Sequence, residues 1–319
     1  MNAAYRALHE AAAWLDLSAR GRIYATGEDR ARLLHAMTTH HVQQLQPGQG
    51  CYAFFLNAQG RILGDVHLFC LEDRFLLDVE PETREQLYQH LDRYIIADDV
   101  TLEDVTAALT AVAVEGPRAA GVLAALGAPA PEALFHTALW EGRRVSRLSF
   151  TGAPGWRIFA PAGEAQDLAR KLEAAGAVSA DAETARVVRI EHFRPRYGED
   201  IFDTTLTAET QQTHAVHFNK GCYLGQEVVE RVRSRGHVNR LLVGLEIDAT
   251  EPPAPQTPVA AAGQEVGKTC SAAFSPARGR VVGMAYLRVT HAAPGTELEV
   301  SGARAVTVPV AGPGPSAGY

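Results

Sequence analysis

Hydrophobic and polar positions alternate in the first part of the chain and then recur at helical spacing. Residues 22–27 alternate and break at Gly27, as a short strand does, and residues 28–37 carry apolar side chains at helical spacing. Three apolar runs separated by turn-forming segments follow, at residues 51–56, 61–69 and 75–79. Strands in this succession predict an antiparallel meander.

A second set of elements repeats the same rhythm of strands followed by a helix. Residues 82–96 predict an amphipathic helix, residues 109–114 a strand, and Gly116-Pro117 opens an alanine-rich helix with proline at a favoured early position. Further elements with this rhythm are predicted at residues 144–150, 156–159 and 165–175. The pattern favours two α+β units of similar build.

The last part of the chain has a different pattern. Residues 251–258 contain four prolines and predict a long loop, because proline cannot continue a helix or a central strand. Short strands separated by Gly/Pro turns follow, at residues 265–270, 279–287, 297–300 and 305–310. We expect a small β-barrel over residues 241–319, with a frayed end from residue 311, after a larger region at 1–240.

Composition excludes several classes of protein. The chain has 319 residues, 46% of them hydrophobic and 21% charged, and a formal net charge of −7, which argues against a general nucleic-acid coat. No apolar run reaches the length of about 18 residues that a membrane-spanning helix needs. The amino terminus lacks the clean apolar core of a secretory signal. We therefore expect a cytoplasmic protein without a membrane partner, and a monomer by default.

The cysteines are scattered rather than paired in metal-binding or redox motifs. Without a CxxC pair, neither a structural zinc site nor a thioredoxin-like pair is supported. Cys51, Cys70 and Cys270 lie in apolar strands, which predicts core packing. The pairs His40-His41 and Asp98-Asp99 are interpreted as surface or connecting residues rather than metal ligands, so no metal is predicted.

The segment with the clearest chemical content reads Asn219-Lys220-Gly221-Cys222-Tyr223-Leu224-Gly225-Gln226-Glu227. Two glycines bracket a cysteine, and glycine permits positive φ, so the loop could present the thiol at a cleft. The neighbouring lysine would favour the reactive thiolate. The alternative is a turn that enters a helix at Gln226 and carries a buried structural cysteine.

Residues 220–227 resemble the signature K-G-C-Y-x-G-Q-E of the YgfZ family, with a match at every fixed position. Blocks at residues 37–65, 189–209 and 269–276 also resemble that family and its relatives, the glycine-cleavage T-proteins. The resemblance implies an α+β fold of three domains in a ring, with two interleaved α+β domains, a C-terminal β-barrel and tetrahydrofolate near the centre. It assigns a catalytic role to Cys222 and Lys220, and cofactor binding to Asp65, Tyr197, Glu209, Gly221, Tyr223, Gln226 and Arg233.

Two departures from the T-protein pattern decide between functions within this resemblance. T-proteins typically carry two consecutive aspartates where this chain has Gly64 and Asp65, and they lack a cysteine at the position of Cys222. The resemblance therefore implies a tetrahydrofolate-binding accessory protein that supports assembly or repair of iron–sulfur enzymes, its clients, without requiring classical turnover. The alternatives are a tetrahydrofolate-dependent aminomethyl- or methyltransferase and an RNA- or protein-docking module.

Two further features keep a structural and a functional interpretation open. Glu209 could accept two pterin N–H groups in a bidentate pair, or it could cap a short helix. Four arginines and His237 form a basic run without an acid after Glu230, which predicts either a solvated face or a patch for a folate tail, an acidic partner or RNA. If this segment is extended, the arginines at 231, 233 and 235 lie on one side.

Overall fold

The computed structural model describes residues 2–236 and 238–312. The α-helices in these residues are α1 (Ala3–Glu10), α2 (Arg30–Met37), α3 (Arg84–Asp92), α4 (Ala119–Ala125), α5 (Ala165–Ala174), α6 (Ala182–Glu191) and α7 (Gln226–Arg235). The prediction of a helix over 82–96 is confirmed for its central part. Pro81–Thr83 forms a 3₁₀ turn instead, and the helix stops before Ile96, which is 89% exposed.

The strands form two open sheets and one closed barrel. They are β1 (Ala13–Asp16), β2 (Gly21–Thr26), β3 (Gly50–Leu56), β4 (Ile62–Cys70), β5 (Phe75–Val79), β6 (Thr101–Asp104), β7 (Leu109–Glu115), β8 (Thr137–Trp140), β9 (Arg143–Ser146), β10 (Gly155–Pro161), β11 (Val178–Ala180), β12 (Arg240–Ile247), β13 (Pro258–Ala261), β14 (Gln264–Ser275), β15 (Arg280–Arg288), β16 (Glu297–Val300) and β17 (Ala303–Val308).

The first sheet is the antiparallel meander that the sequence predicts. Its strand order is β3-β4-β5-β2-β6, and helices α2 and α3 contribute to the core on one face. That core is aliphatic and includes Leu34, Leu77 and Leu87, all fully buried. The opposite face of β3 and β4 carries polar and aromatic side chains, which makes it available for a site.

The second sheet shows how the first two domains are interleaved. Its order is β11-β1-β7-β10-β9-β8, so the chain begins in this sheet, leaves to build the first sheet, and returns at β7. Strand β1 pairs in parallel with β11, Ala13 lying opposite Val178. The sequence did not predict α1, β1 or this long-range pairing, but the α+β fold with interleaved units is confirmed.

The predicted C-terminal barrel is also confirmed. Its strands close in the order β12-β15-β14-β13-β16-β17, and inward-facing aliphatic residues such as Leu245, Val259 and Leu287 are fully buried. The proline-rich loop ends at Pro258, the first residue of β13, where a missing N–H is tolerated. Within residues 2–236 and 238–312, no helix is both long and apolar enough to cross a membrane.

Candidate functional site in the central cavity

A narrow, polar cavity lies where the two sheets and the segments after α6 meet. Tyr52, Asp65 and His67 line it from the meander, Arg157 from β10, and Arg194 to Arg196 from the segment after α6. Tyr52 lies opposite His67 in the β3–β4 register, and Asp65 precedes His67 by two residues. Because side chains alternate across a strand, these three residues share the face that borders the cavity.

Asp65 is the carboxylate of the cavity lining that has a buried oxygen without a hydrogen-bond partner; His67, Arg157 and Arg189 in the same lining have unpaired ring or guanidinium nitrogens. One carboxylate oxygen accepts a hydrogen bond from the hydroxyl of Tyr52 at 2.8 Å, while Oδ1 is buried and has no partner. Burial, reinforced by the charge of Glu80, raises the pKa of Asp65 to about 6, and the nearby Arg20 partly opposes that shift. A buried acceptor without a partner is costly, so this oxygen is placed to accept a hydrogen bond from a bound donor.

An ion network holds the wall of the cavity behind Asp65. Asp78, fully buried, accepts a hydrogen bond from Nε of Arg20 at 3.0 Å and another from Arg157. Glu80 pairs with Arg20 and lies 2.8 Å from Arg196. Each of these carboxylates holds more than one guanidinium group. Removal of one acid would therefore leave arginines in the interior without a partner for their charge.

Flat rings form another part of the cavity wall. The rings of Tyr52 and His214 stack with centroids 5.4 Å apart, and burial lowers the pKa of His214 to about 4. Burial and the charges of Arg157 and Arg20 hold the pKa of His67 well below its usual range. Both imidazoles are therefore neutral at neutral pH, and the cavity combines flat neutral rings with a carboxylate acceptor and fixed cations.

The segment 220–227, here called the thiol loop, leads into α7 as predicted. Gly225 has φ of 82°, and a Cβ there would lie 2.6 Å from the carbonyl oxygen of Asn57, so glycine is required. Gly221, by contrast, does not adopt positive φ. Cys222 is exposed, so the alternative of a buried structural cysteine is wrong.

The other cysteines behave differently from Cys222. Cys51, Cys70 and Cys270 are buried, which confirms the prediction that they pack in the core. Burial raises the pKa of each of these three thiols, keeping them protonated. The only exposed thiol among the described residues is therefore the one in the motif.

Lys220 points into the interior rather than toward the thiol. Its ammonium donates hydrogen bonds to the carbonyl oxygens of His35 and Thr38 at the end of α2, and lies 4.6 Å from the ring centre of Tyr223. Burial lowers its pKa to about 7. The hydrogen bonds of Lys220 tie the thiol loop to α2, and the structure shows none between Lys220 and Cys222.

The remaining predicted binding residues lie outside the lining of the central cavity. Tyr197 and Tyr223 are each 8% exposed and belong to one apolar cluster with Tyr52, while Oε1 of Gln226 accepts a hydrogen bond from the N–H of Tyr223 at 3.3 Å. Their contacts are those of packing and loop closure. Their assignment to cofactor binding stays a prediction.

Glu209 makes the contacts expected of a capping residue. Its Oε2 accepts a hydrogen bond from the N–H of Leu206 at 2.9 Å, at the start of the 3₁₀ helix Thr207–Thr210. Its other oxygen accepts one from Nε of Arg240 at 3.1 Å. The carboxylate thus joins this segment to the first barrel strand, and a folate contact at Glu209 stays a prediction.

The basic run adopts a conformation that the sequence did not predict. Residues 231, 233 and 235 lie on α7, not on an extended segment. Because the segment is helical, the condition under which the arginines were expected on one side, an extended conformation, is not met. His237 lies outside the described residues. Arg233 borders a separate apolar groove rather than the central cavity.

The histidines near the thiol loop gather in a cluster without forming a metal site. The ring centroids of His35 and His41 are 4.6 Å apart, and those of His41 and His217 are 5.3 Å apart. Burial and the charge of Lys220 lower the pKa of His35 to about 4. In the described part of the chain, no three His, Cys, Asp or Glu side chains are placed to hold a metal ion.

Sequence reasoning found Asp65 but missed most of the cavity. Most of the missed residues have polar or aromatic side chains. They include Arg20, Tyr52, His67, Glu80, Arg157, Arg194 and His214. His67 carried a usable signal, because it follows Asp65 by two residues on the same strand. The others come from distant parts of the chain, and local periodicity cannot bring them together.

Comparison with protein families and solved structures agrees with the architecture. Residues 1–220 match the model of the GCVT N-terminal domain, and residues 240–312 match that of the glycine cleavage T-protein C-terminal barrel domain. The structure is similar to the crystal structure of glycine cleavage system aminomethyltransferase T from Bartonella henselae, with a TM-score of 0.86 and 25% identity, covering 96% of this chain and 87% of that one.

Curated relatives point the same way. An aminomethyltransferase of Rubrobacter xylanophilus is 31% identical over 90% of this chain and 79% of its own length. A chloroplastic putative transferase of Arabidopsis thaliana is 27% identical, over 90% of this chain and 67% of its own length. Both domain models, together with a relative that is 31% identical over 90% of this chain, show that the chain belongs to the glycine-cleavage T-protein family, whose relatives include the aminomethyltransferases.

Proposed function

We propose that the central cavity binds tetrahydrofolate and that the protein supports the assembly or repair of iron–sulfur enzymes. The observation that carries the folate part is Oδ1 of Asp65, a buried acceptor that borders the cavity and lacks a donor. A pterin offers several N–H groups along one edge, and a charge-assisted hydrogen bond to a carboxylate is among the strongest in proteins.

The other lining residues fit the same ligand. The stacked rings of Tyr52 and His214, together with the neutral His67, offer flat surfaces of the kind that a pterin contacts. Five arginines and two acids line the space, and although Arg20 and Arg157 are paired with Asp78, this excess of positive charge suits the carboxylates of a glutamate tail. When bound, the folate would carry a one-carbon unit, while these residues bind and orient it.

The proposed role in iron–sulfur enzymes rests on the thiol loop. The segment 220–227 resembles the YgfZ signature at every fixed position, and its cysteine is exposed. A thiol held on a loop that is anchored by Lys220 and Gly225 is accessible to a client protein. Gly64 stands where T-proteins typically have a second aspartate, so this chain lacks one of those two carboxylates, although a Cβ at Gly64 would point toward Leu87 in the core and away from the cavity.

The test is the activity of iron–sulfur enzymes in cells that lack this protein and are complemented with variants. We expect Cys222→Ser to lose support for these enzymes while Asn219→Ser, an exposed change in the same region, retains it. Lys220→Arg is included as a conservative variant, because removal of Lys220 would also loosen the fold. Full support by Cys222→Ser would contradict the proposed role of the thiol.

The family membership makes aminomethyl transfer the second candidate function. The relative from Rubrobacter xylanophilus carries that name at 31% identity. This candidate requires the protein to form methylene-tetrahydrofolate from an aminomethyl-lipoyl carrier, in a reaction that slows in Asp65→Asn. If tetrahydrofolate binding is confirmed and no methylene-tetrahydrofolate forms from such a carrier, aminomethyl transfer is ruled out.

A further inference from the structure

Helix α7 and the segment that precedes the thiol loop enclose a second, mostly apolar groove of about 270 Å³. Val216 and Val229 form its buried floor, and Val232 and Phe218 stand nearer the opening. Gln212 is the one described residue that lines both this groove and the central cavity. The groove is therefore a neighbour of the proposed folate site, built from different side chains.

Its charge is concentrated at one position. Of the described residues that line the groove, Arg233 is the one with a charged side chain. Its guanidinium lies over the ring of Phe218, 4.6 Å from the ring centre, and is half exposed. The carboxylate of Glu230 on the same helix is 3.7 Å away, too long for a hydrogen bond, so the donors of Arg233 remain open to another anion.

The apolar part of the groove is open as well. Phe218, which borders the groove, is 39% exposed. Burying such surface against an apolar chain is favourable by about 25 cal/mol per Å². A volume of about 270 Å³ is at the small end for ligand sites, and suits one slender chain rather than a folded peptide segment.

We propose that this groove binds a medium-chain carboxylic acid, independently of the folate site. The alkyl chain lies along Val216, Val229 and Val232, and the carboxylate pairs with Arg233 beside Phe218. Shape and charge together define this ligand class: an apolar lining accepts the alkyl chain, and Arg233, the charged residue among the described ones at the groove, accepts the acid group.

The test is calorimetric titration of the full chain with sodium decanoate, well below its micellar range. We expect saturable binding to one site, about tenfold weaker in Arg233→Gln because a charge-assisted hydrogen bond is lost. Arg231→Gln is the matched control, an exposed arginine of α7 that does not line the groove, and it should bind as the parent does. Decanol, which lacks the charge, should bind weakly and equally to the parent and Arg233→Gln.

Further variants test whether decanoate binds in this groove rather than at the proposed folate site or through nonspecific attraction to positive charge. Val232→Gln should weaken decanoate and decanol alike, while Asp65→Asn should leave decanoate binding unchanged. The proposal is overturned if the parent shows no saturable binding at millimolar decanoate, or if Arg231→Gln and Arg233→Gln weaken it equally. Circular dichroism confirms that each variant is folded before its titration is interpreted.

Discussion

The central cavity and the thiol loop position their functional side chains in opposite ways. The cavity gathers residues from Arg20 to Gly312, and a buried ion network holds several of its side chains in place. The thiol loop is one continuous segment in which Lys220 and Tyr223 turn inward and Cys222, between them, turns outward. The first site is fixed by many distant contacts and the second by a few local ones, so substitutions in them should act differently.

The largest effect is expected from Asp78→Ala in the cavity wall. The substitution leaves Arg20 and Arg157 without their shared carboxylate in the interior, and removal of one partner from a buried ion network costs about 3–5 kcal/mol. Urea denaturation measures this loss in the free energy of unfolding. Asp73→Ala is the control, because the exposed pair Asp73–Arg74 should contribute less than about 1 kcal/mol. Equal losses in the two variants would refute a structural role for the buried network.

Lys220→Ala should have the next largest effect, although it lies in the motif. The carbonyl oxygens of His35 and Thr38 lose a buried donor, which costs about 1–3 kcal/mol of unfolding free energy. Lys220→Arg should recover part of that loss. A Lys220→Ala protein as stable as the parent would show that the lysine does not anchor the loop.

The histidine cluster predicts a loss of stability in acid. Burial and Lys220 lower the pKa of His35 and His40 to about 4, so the unfolded chain, with values near 6.5, binds their protons first. Their contribution is complete above about pH 6.5 and is lost as the pH falls toward 4. We expect a decrease of about 1–3 kcal/mol in the free energy of unfolding between pH 7 and 5.

The double variant His35→Gln, His40→Gln checks the source of that pH dependence. Its unfolding free energy should change less between pH 7 and 5 than that of the parent, measured by urea denaturation at each pH. Asp65 acts in the opposite direction, because its raised pKa of about 6 stabilises the fold at low pH and ceases to do so as the pH rises. An unchanged slope in the double variant would assign the acid sensitivity to other groups.

The smallest effect on stability is expected from Cys222→Ser. The side chain is exposed and the change is nearly isosteric, so the free energy of unfolding should change by less than about 0.5 kcal/mol. Thermal and urea denaturation measure this directly. A loss comparable to that of Lys220→Ala would mean that the cysteine is a structural residue after all.

Local patterns were sufficient to predict much of the fold. The meander of β3, β4 and β5 alternates regularly and is bounded by turn residues, and the barrel strands are separated by glycine and proline. By contrast, β1 has only four residues, and its parallel partner β11 lies more than 160 positions away. Pairing over such a distance depends on tertiary packing, which local periodicity does not encode.

The residues of the candidate site also differ in whether a local sequence pattern reveals them. The thiol loop was found from sequence because its residues are contiguous, and Asp65 because it lies in a matching block. The sequence left open whether Cys222 is exposed or buried, since free cysteines are usually buried and the inward direction of its neighbours becomes visible only in three dimensions. Tyr52 and His214 meet across 162 residues of chain, so their stacking had no local signal.

The most direct test of the account is an anaerobic calorimetric titration with tetrahydrofolate, comparing the parent with Asp65→Asn, Glu209→Ala and Cys222→Ser. The account predicts saturable binding by the parent, retention in Cys222→Ser and a loss of at least about tenfold in Asp65→Asn, because a carboxylate hydrogen bond is removed from a buried site. Glu209→Ala reports whether the capping residue also contacts the ligand. Absence of binding by the parent, or full binding by Asp65→Asn, would contradict the assignment of the central cavity to folate.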